Sequence, residues 1–384
     1  MITTMNPEDF LTQADLQGMR RKLKAVNHIS PTICIINKNE YIDFSSNNYL
    51  ALANHPNLIK ESIKWTEKFG TGSTASRLVS GTFSEYLELE DKIAEWKGTE
   101  SALIIGSGYM ANVGVISALS SNRKSVICAD KLNHASLNTG AALTQGKFKR
   151  YPHLNFKKLE MLLTQNENEK IIVSDTVFSM DGDICNIKKL KCLSDKFNAL
   201  LYLDDAHATG IFGEKGEGLA GREADIAMGT FSKAMGSYGA YIACSKTMKD
   251  YLINKCGSFI YSTALPPGVY GAISAAVTLV QTNEYKEKRK DLSKKSSYLK
   301  TELQKLGLNT GNTTTPIIPI IVGDIAETMK MSEYLMKNGI FVIPIRPPTV
   351  PAGTARLRVS INTAHSYSQI NKLLDLLSQY KSKL

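Results

Sequence analysis

The sequence predicts an α/β protein whose large domain is built on a mainly parallel sheet, with a smaller α+β domain at the carboxyl end. Three observations carry this. Short apolar runs alternate with helical patterns from about Pro56 onward, the signature of strands crossed over by helices. Residues able to do chemistry follow directly after those runs. The last hundred or so residues change character and read as a separate, smaller α+β unit.

Residues 1–30 read as a polar helix carrying Arg20 and Arg21, with strand-like runs at 32–36 and 41–44. Residues 1–45 are therefore expected to be an N-terminal arm rather than a domain. The runs at 103–105, 126–129, 171–173, 200–203, 226–228 and 240–243 are the strands of the large domain, assigned to residues 46–280. The uncharged stretch 266–281 contains Gly268 and Gly271 and is shorter than the roughly 20 apolar residues that span a bilayer, so it reads as a buried helix. The small domain, 281–384, has a lysine-rich amphipathic helix over 286–300, strands at 317–322, 341–345 and 356–361, and a closing helix.

With 43% hydrophobic and 21% charged residues the composition is that of an ordinary globular protein, and disorder is not indicated. A formal charge of +10 suits an acidic partner such as an acyl carrier protein or coenzyme A. No nucleic-acid recognition motif accompanies it, so nucleic acid is not expected, and a solvated lysine-rich surface is the simpler reading. The six cysteines form no CxxC pair and the chain starts without an apolar signal core, so reduced thiols, a cytoplasmic location and no membrane association are expected.

In an open parallel sheet ligands sit beyond the carboxyl ends of the strands. After the successive runs come Gly106-Ser107-Gly108-Tyr109, then 130–134, 175–181, Asp204-Asp205-Ala206-His207 and 230–233. The first of these, extended to Met110-Ala111, matches the G-x-G-x-x-G/A dinucleotide fingerprint. Its physics is broader, because glycine-exposed N–H groups at a helix N-terminus stabilise any phosphate. A nicotinamide enzyme needs neither a lysine nor an acid aimed at a pyridine nitrogen, and this chain offers both.

Pyridoxal phosphate needs an amine, an acid beside its ring nitrogen, a phosphate cradle and something flat against the ring. Lys233, in Thr230-Phe231-Ser232-Lys233-Ala234-Met235-Gly236, is the candidate amine, and a surface lysine is its plain alternative. Asp204 follows four apolar residues and is costly to bury without a cation, although a helix cap or a structural ion pair would also explain it. His207 and His134 are candidates for the ring's oxygen and face, or for ordinary core histidines. Gly108, Tyr109 and Thr230 offer phosphate donors, and Ser179 is either a cofactor contact or a loop serine. No spacing suits a metal.

Together these segments resemble the α-oxoamine synthase family of fold-type-I pyridoxal-phosphate enzymes. Ser107-Gly108-Tyr109-Met110-Ala111-Asn112, the segments 130–136, 177–183 and 204–210, and 230–236 occur in the family's order and spacing, and the resemblance runs from Phe44 to His365. It implies a seven-stranded, mainly parallel sheet in the large domain and a homodimer with sites at the subunit interface. It also implies that Lys233 carries pyridoxal 5'-phosphate as a Schiff base, Asp204 pairs with the ring nitrogen and His134 stacks on the ring and meets substrate. His207 and Ser179 would contact its oxygens, and Gly108, Tyr109 and Thr230 its phosphate.

The segments 258–267 and 345–358 are similar to the family's biotin-pathway branch. That branch condenses L-alanine with a pimeloyl thioester, carried on acyl carrier protein or coenzyme A, to give 8-amino-7-oxononanoate and carbon dioxide. By the same resemblance Arg358 and Asn47 take the alanine carboxylate, while Arg20 and Thr349 contact the pimeloyl chain. Departures from the family pattern are Tyr86 for a histidine, Asn48 for an aspartate, Ala51 and Ala208 for glycine or another small residue, and Ser232 for a glycine. Rival readings are a sister synthase such as a glycine C-acetyltransferase, an NAD-binding oxidoreductase, and a cofactor-binding regulator, for which residues 1–40 lack a DNA-binding domain.

Overall fold

The computed structural model describes residues 6–16, 19–120, 125–165 and 169–382. Strands β1 (Asn27–Ser30), β2 (Ile33–Ile36) and β3 (Asn39–Asp43) form an antiparallel meander. The large sheet holds β4 (Ser101–Ile105), β5 (Ser125–Asp130), β6 (Lys147–Tyr151), β7 (Glu169–Asp175), β8 (Leu200–Asp204), β9 (Ile226–Thr230) and β10 (Ala240–Cys244). They lie in the order β4-β10-β9-β8-β7-β5-β6. Every pairing is parallel except the two made by β10, so the expected seven-stranded, mainly parallel sheet is present.

Alternate residues of each central strand enter opposite cores. Ile104, Cys128, Ile172, Leu201 and Ala227 join one layer; Ile105, Ala129, Val173, Tyr202 and Met228 join the other. With both faces covered, such strands have no reason to alternate in polarity, which is why they read as continuous apolar runs. The edge strand β6 is the exception. Its Lys147, Lys149 and Arg150 are exposed, charges that discourage further pairing at a sheet edge and that also hide the strand from an apolar pattern.

The uncharged stretch forms the helix Pro267–Val280, largely buried, against the helix Pro56–Phe69. The two approach so closely that a side chain at Gly271 would run into the Glu61 carbonyl. In the C-terminal part, β11 (Ile317–Gly323), β13 (Pro344–Ile345) and β14 (Ala355–Ser360) form an antiparallel sheet, while β12 (Ile340–Phe341) pairs in parallel with β3. The strand expected over 341–345 is thus two short strands serving two sheets.

Among the described residues of the polar helix expected over 1–30, Pro7–Leu16 is helical, and Asn27–Ser30 is instead a strand. Among the described residues no helix is long and apolar enough to cross a membrane, and no group of side chains suits a metal. The cysteines form no disulfide.

Candidate active site

β9 ends at Thr230, and the chain then folds back on itself. Thr230 Oγ1 accepts from Ser232 N at 3.2 Å, Phe231 N donates to Gly239 O, and Gly236 N donates to Lys233 O. Gly236 has φ +64°, and a Cβ there would sit 2.5 Å from Ala53 N. Only glycine fits this contact with the turn at residues 48–53. In that turn Asn48 Oδ1 accepts from Leu52 N at 2.9 Å and Ala53 N at 3.3 Å, so asparagine supplies the acceptor an aspartate would.

The loop holds Lys233 Nζ 2.9 Å from His207 Nε2. Burial lowers the amine from 10.5 to about 8, against the opposing pull of Asp204 and Asp175. Burial, together with the charges of Lys233 and Arg358, holds His207 well below its usual range. The imidazole is neutral and accepts from Lys233, so its proton sits on Nδ1, which donates to Tyr49 Oη at 2.9 Å.

Asp204 closes β8 and is buried. Its Oδ2 accepts from Asn112 Nδ2 at 2.7 Å and its Oδ1 from Ala206 N at 2.8 Å. Among the described residues no cationic side chain forms an ion pair with it. Asn112 Nδ2 also donates to Ser136 Oγ at 2.8 Å, and Ser136 Oγ lies 2.6 Å from His134 Nδ1.

His134 caps the helix Ala135–Ala142, its Nδ1 accepting from Ser136 N. Its backbone N donates to Asp175 Oδ2 at 2.7 Å. Although His134 is not a buried residue, partial desolvation of its ring keeps it below its usual pKa, with Asp204 opposing and Lys233 reinforcing the shift. Burial and the nearby Asp204 raise the Asp175 carboxyl well above the carboxylate range.

Ser107 caps the helix Gly108–Leu119, its Oγ accepting from Met110 N at 3.2 Å. The N–H groups of Gly108 and Tyr109 are the first two of that helix and have no intrahelical acceptor. This end of the helix stands beside Thr230, since a Cβ on Gly108 would lie 3.8 Å from Thr230 Cβ. The Tyr109 side chain is exposed.

Arg358, on β14, is buried, with Nε donating to Ser179 O at 2.6 Å and Nη1 to Asn47 Oδ1 at 3.0 Å. Its Nη2 donates to Tyr49 Oη at 3.2 Å, so Tyr49 joins the guanidinium to the His207–Lys233 pair. Arg20 and Thr349 line a separate cleft of about 600 Å³, together with the basic Arg21, Lys24 and Arg346 and the apolar Met336, Phe341 and Ile343. This cleft adjoins Arg358, whose backbone N donates to Ile343 O.

Sequence reasoning did not single out Tyr49, Asn112 or Asp175 as site residues. Asn112 had a visible signal, a carboxamide within an otherwise apolar helix turn, which needs a buried partner. Of the departures, Tyr86 is fully buried with its ring stacked on Tyr270, and Ala208 is also buried.

Residues 39–377 match the family described as aminotransferase class I and II. The chain is 44% identical to an 8-amino-7-oxononanoate synthase of Geotalea daltonii, covering 96% of this chain and 95% of that protein. The chain belongs to this family, on its 8-amino-7-oxononanoate synthase branch. Among solved structures it resembles a variant serine palmitoyltransferase from S. paucimobilis with a bound PLP–myriocin aldimine. The TM-score is 0.91 at 28% identity, covering 98% of this chain and 96% of the other. It also resembles the 8-amino-7-oxononanoate synthase of Francisella tularensis, with TM-score 0.78 and 27% identity over 89% of this chain and 98% of the other.

Proposed function

We propose that the chain is a pyridoxal-phosphate-dependent C-acyltransferase that condenses L-alanine with a pimeloyl thioester, releasing carbon dioxide and 8-amino-7-oxononanoate. One observation carries it: through His207 and Tyr49, a half-buried amine with its pKa lowered to about 8 and a buried guanidinium form one hydrogen-bonded unit. An amine that can hold or release a proton stands beside a fork suited to an amino-acid carboxylate.

The residues fit the cofactor. Asp204 is a buried carboxylate met only by two neutral donors, so lone pairs and charge remain for a cationic N–H, and the N-terminus of the helix Gly108–Leu119 beside Thr230 suits a phosphate. When bound, pyridoxal phosphate supplies an electron sink for the pair left on the amino-acid Cα, and again for the pair left when the carboxylate departs. Arg358 and Asn47 hold the alanine carboxylate. Lys233, near pKa 8, takes the Cα proton and later returns one. Asp204 would accept from the cofactor's ring N–H and so favour its protonated form. The Cα carbon bonds to the thioester carbonyl carbon as the C–S bond breaks and the sulfur leaves as thiolate, to be protonated by solvent; the alanine carboxylate is then lost as carbon dioxide, and the electron pair it leaves takes the proton Lys233 returns.

His134, with Nδ1 engaged by Ser136 N, presents Nε2–H to the acyl oxygen. The cleft of Arg20 and Thr349 takes the pimeloyl chain, and its basic residues suit a donor on acyl carrier protein or coenzyme A. The protein works as a cytoplasmic homodimer, its large domain spanning 46–280 and its small domain 281–384. Incubation with L-alanine and each pimeloyl thioester, with product mass measured, tests the reading. Formation of 8-amino-7-oxononanoate supports it; product only from glycine would favour a sister synthase.

A further inference from the structure

Asn112 spends both amide protons on the site: one on Asp204 Oδ2 at 2.7 Å, the other on Ser136 Oγ at 2.8 Å. Its orientation is not ambiguous. Tyr202 Oη donates to Asn112 Oδ1 at 2.7 Å, and burial keeps that phenol protonated, well above its usual pKa. The carboxylate of Asp204 can only accept, so the amide nitrogen must face it. Ser136 Oγ, having accepted from Asn112, has its own proton free for His134 Nδ1, 2.6 Å away.

The bonds therefore run in one direction, from Tyr202 to Asn112, and from Asn112 both to Asp204 and through Ser136 to His134. All of these groups except His134 are buried, so each unmade bond would carry its full desolvation cost.

We propose that Asn112 is a positioning residue that orients Asp204 and His134 together, linking the residue that meets the ring nitrogen to the one that meets the acyl oxygen. Its neutral amide holds Asp204 in place without neutralising it, so the carboxylate keeps its charge for the ring nitrogen. A lysine or arginine at the same point would satisfy that charge in advance. The same amide sets the hydroxyl that steadies the His134 ring. The inference rests on the pyridoxal-phosphate reading above.

The test uses holoprotein carrying Asn112→Asp, Asn112→Ala, Tyr202→Phe, Ser136→Ala, and Asn112→Ala with Ser136→Ala. Four quantities are read: the pH titration of the visible cofactor absorbance, cofactor release on dialysis, kcat, and KM for L-alanine. Asn112→Asp sets a second carboxyl against Asp204, and the two share a proton. It is expected to shift the absorbance titration, speed cofactor release and lower kcat about 100-fold, with KM for alanine changed less than about 3-fold, as alanine is held elsewhere.

Tyr202→Phe, which keeps volume, is expected to move the same readouts less. The Asn112–Ser136 double variant is expected to lose less in kcat than the product of the single losses, because both act on His134. An unchanged titration and kcat in Asn112→Asp, or multiplicative losses in the double variant, would overturn the proposal while leaving the function standing. A wild-type protein that takes up no pyridoxal phosphate would overturn both.

Discussion

Lys233 Nζ lies 2.9 Å from His207 Nε2, and its charge together with burial keeps that imidazole neutral. The amine itself is lowered to about 8, so at neutral pH the apoprotein holds a half-buried, desolvated ammonium that favours the unfolded chain. A depressed lysine pKa means the unfolded state binds more protons between about 8 and 10.5. Stability should therefore rise with pH across that window. Lys233→Met should make the apoprotein more stable at pH 7 by about 1–2 kcal/mol, with the gain fading as pH approaches 10.5. Urea denaturation from pH 7 to 10.5 checks this, and the variant should also take up no visible Schiff-base colour.

Arg358 offers a second test, because its guanidinium is used as a fork. It meets Ser179 O, Asn47, Ser360 and Tyr49 through three different nitrogens. Arg358→Lys keeps the charge but cannot reproduce that geometry. KM for L-alanine should rise about 30-fold or more, equivalent to ~2 kcal/mol of charge-assisted hydrogen bonding, with a smaller change in kcat. Steady-state kinetics with varied alanine measures it; an unchanged KM would remove Arg358 from the carboxylate site.

What could be read from the sequence, and what could not, follows from burial. Strands covered on both faces announce themselves as apolar runs, and their ends carried Asp204, His207 and Lys233. The edge strand Lys147–Tyr151 has no such run, since its charged residues face solvent. Tyr49 was silent for a different reason. Its Oη meets His207, from β8's end, and Arg358, from a strand more than 300 residues away. No local pattern encodes that meeting; only the pairing of β3 with β12 and the packing of the C-terminal sheet bring the three together.

His153 bridges Asp130 Oδ1 at 3.0 Å and Asp183 Oδ2 at 2.8 Å. Burial opposes its charge, but the two carboxylates outweigh that and raise it from 6.5 to about 10. A raised histidine pKa contributes stability that is fully present below about 6.5 and lost as pH rises through about 10. His153→Gln should therefore be less stable than wild type by about 3 kcal/mol at pH 6, and the two should converge above pH 10. Denaturation midpoints across that range decide it. Since Asp183 terminates the loop carrying Ser179, the variant should also loosen that loop, seen as faster backbone hydrogen exchange there.

Ala51 has a φ of +57°, in the left-handed region where glycine is the unstrained residue. A Cβ in that conformation costs roughly 1–2 kcal/mol. The turn is nonetheless held, because Ala51 N donates to Asn48 O and Asn48 Oδ1 accepts from the two following N–H groups. Those bonds are backbone bonds or lie on Asn48, so they survive removal of the Ala51 methyl. Ala51→Gly relieves the steric cost but frees the unfolded chain, which offsets about 0.5–1 kcal/mol of the gain. The net expectation is a stabilisation of about 0.5–1 kcal/mol, read as a higher urea midpoint at unchanged slope. Because the turn packs on Gly236 in the Lys233 loop, a relaxed turn should leave kcat within about 2-fold of wild type if the loop keeps its geometry. A lower midpoint would mean that the methyl itself packs productively against its neighbours.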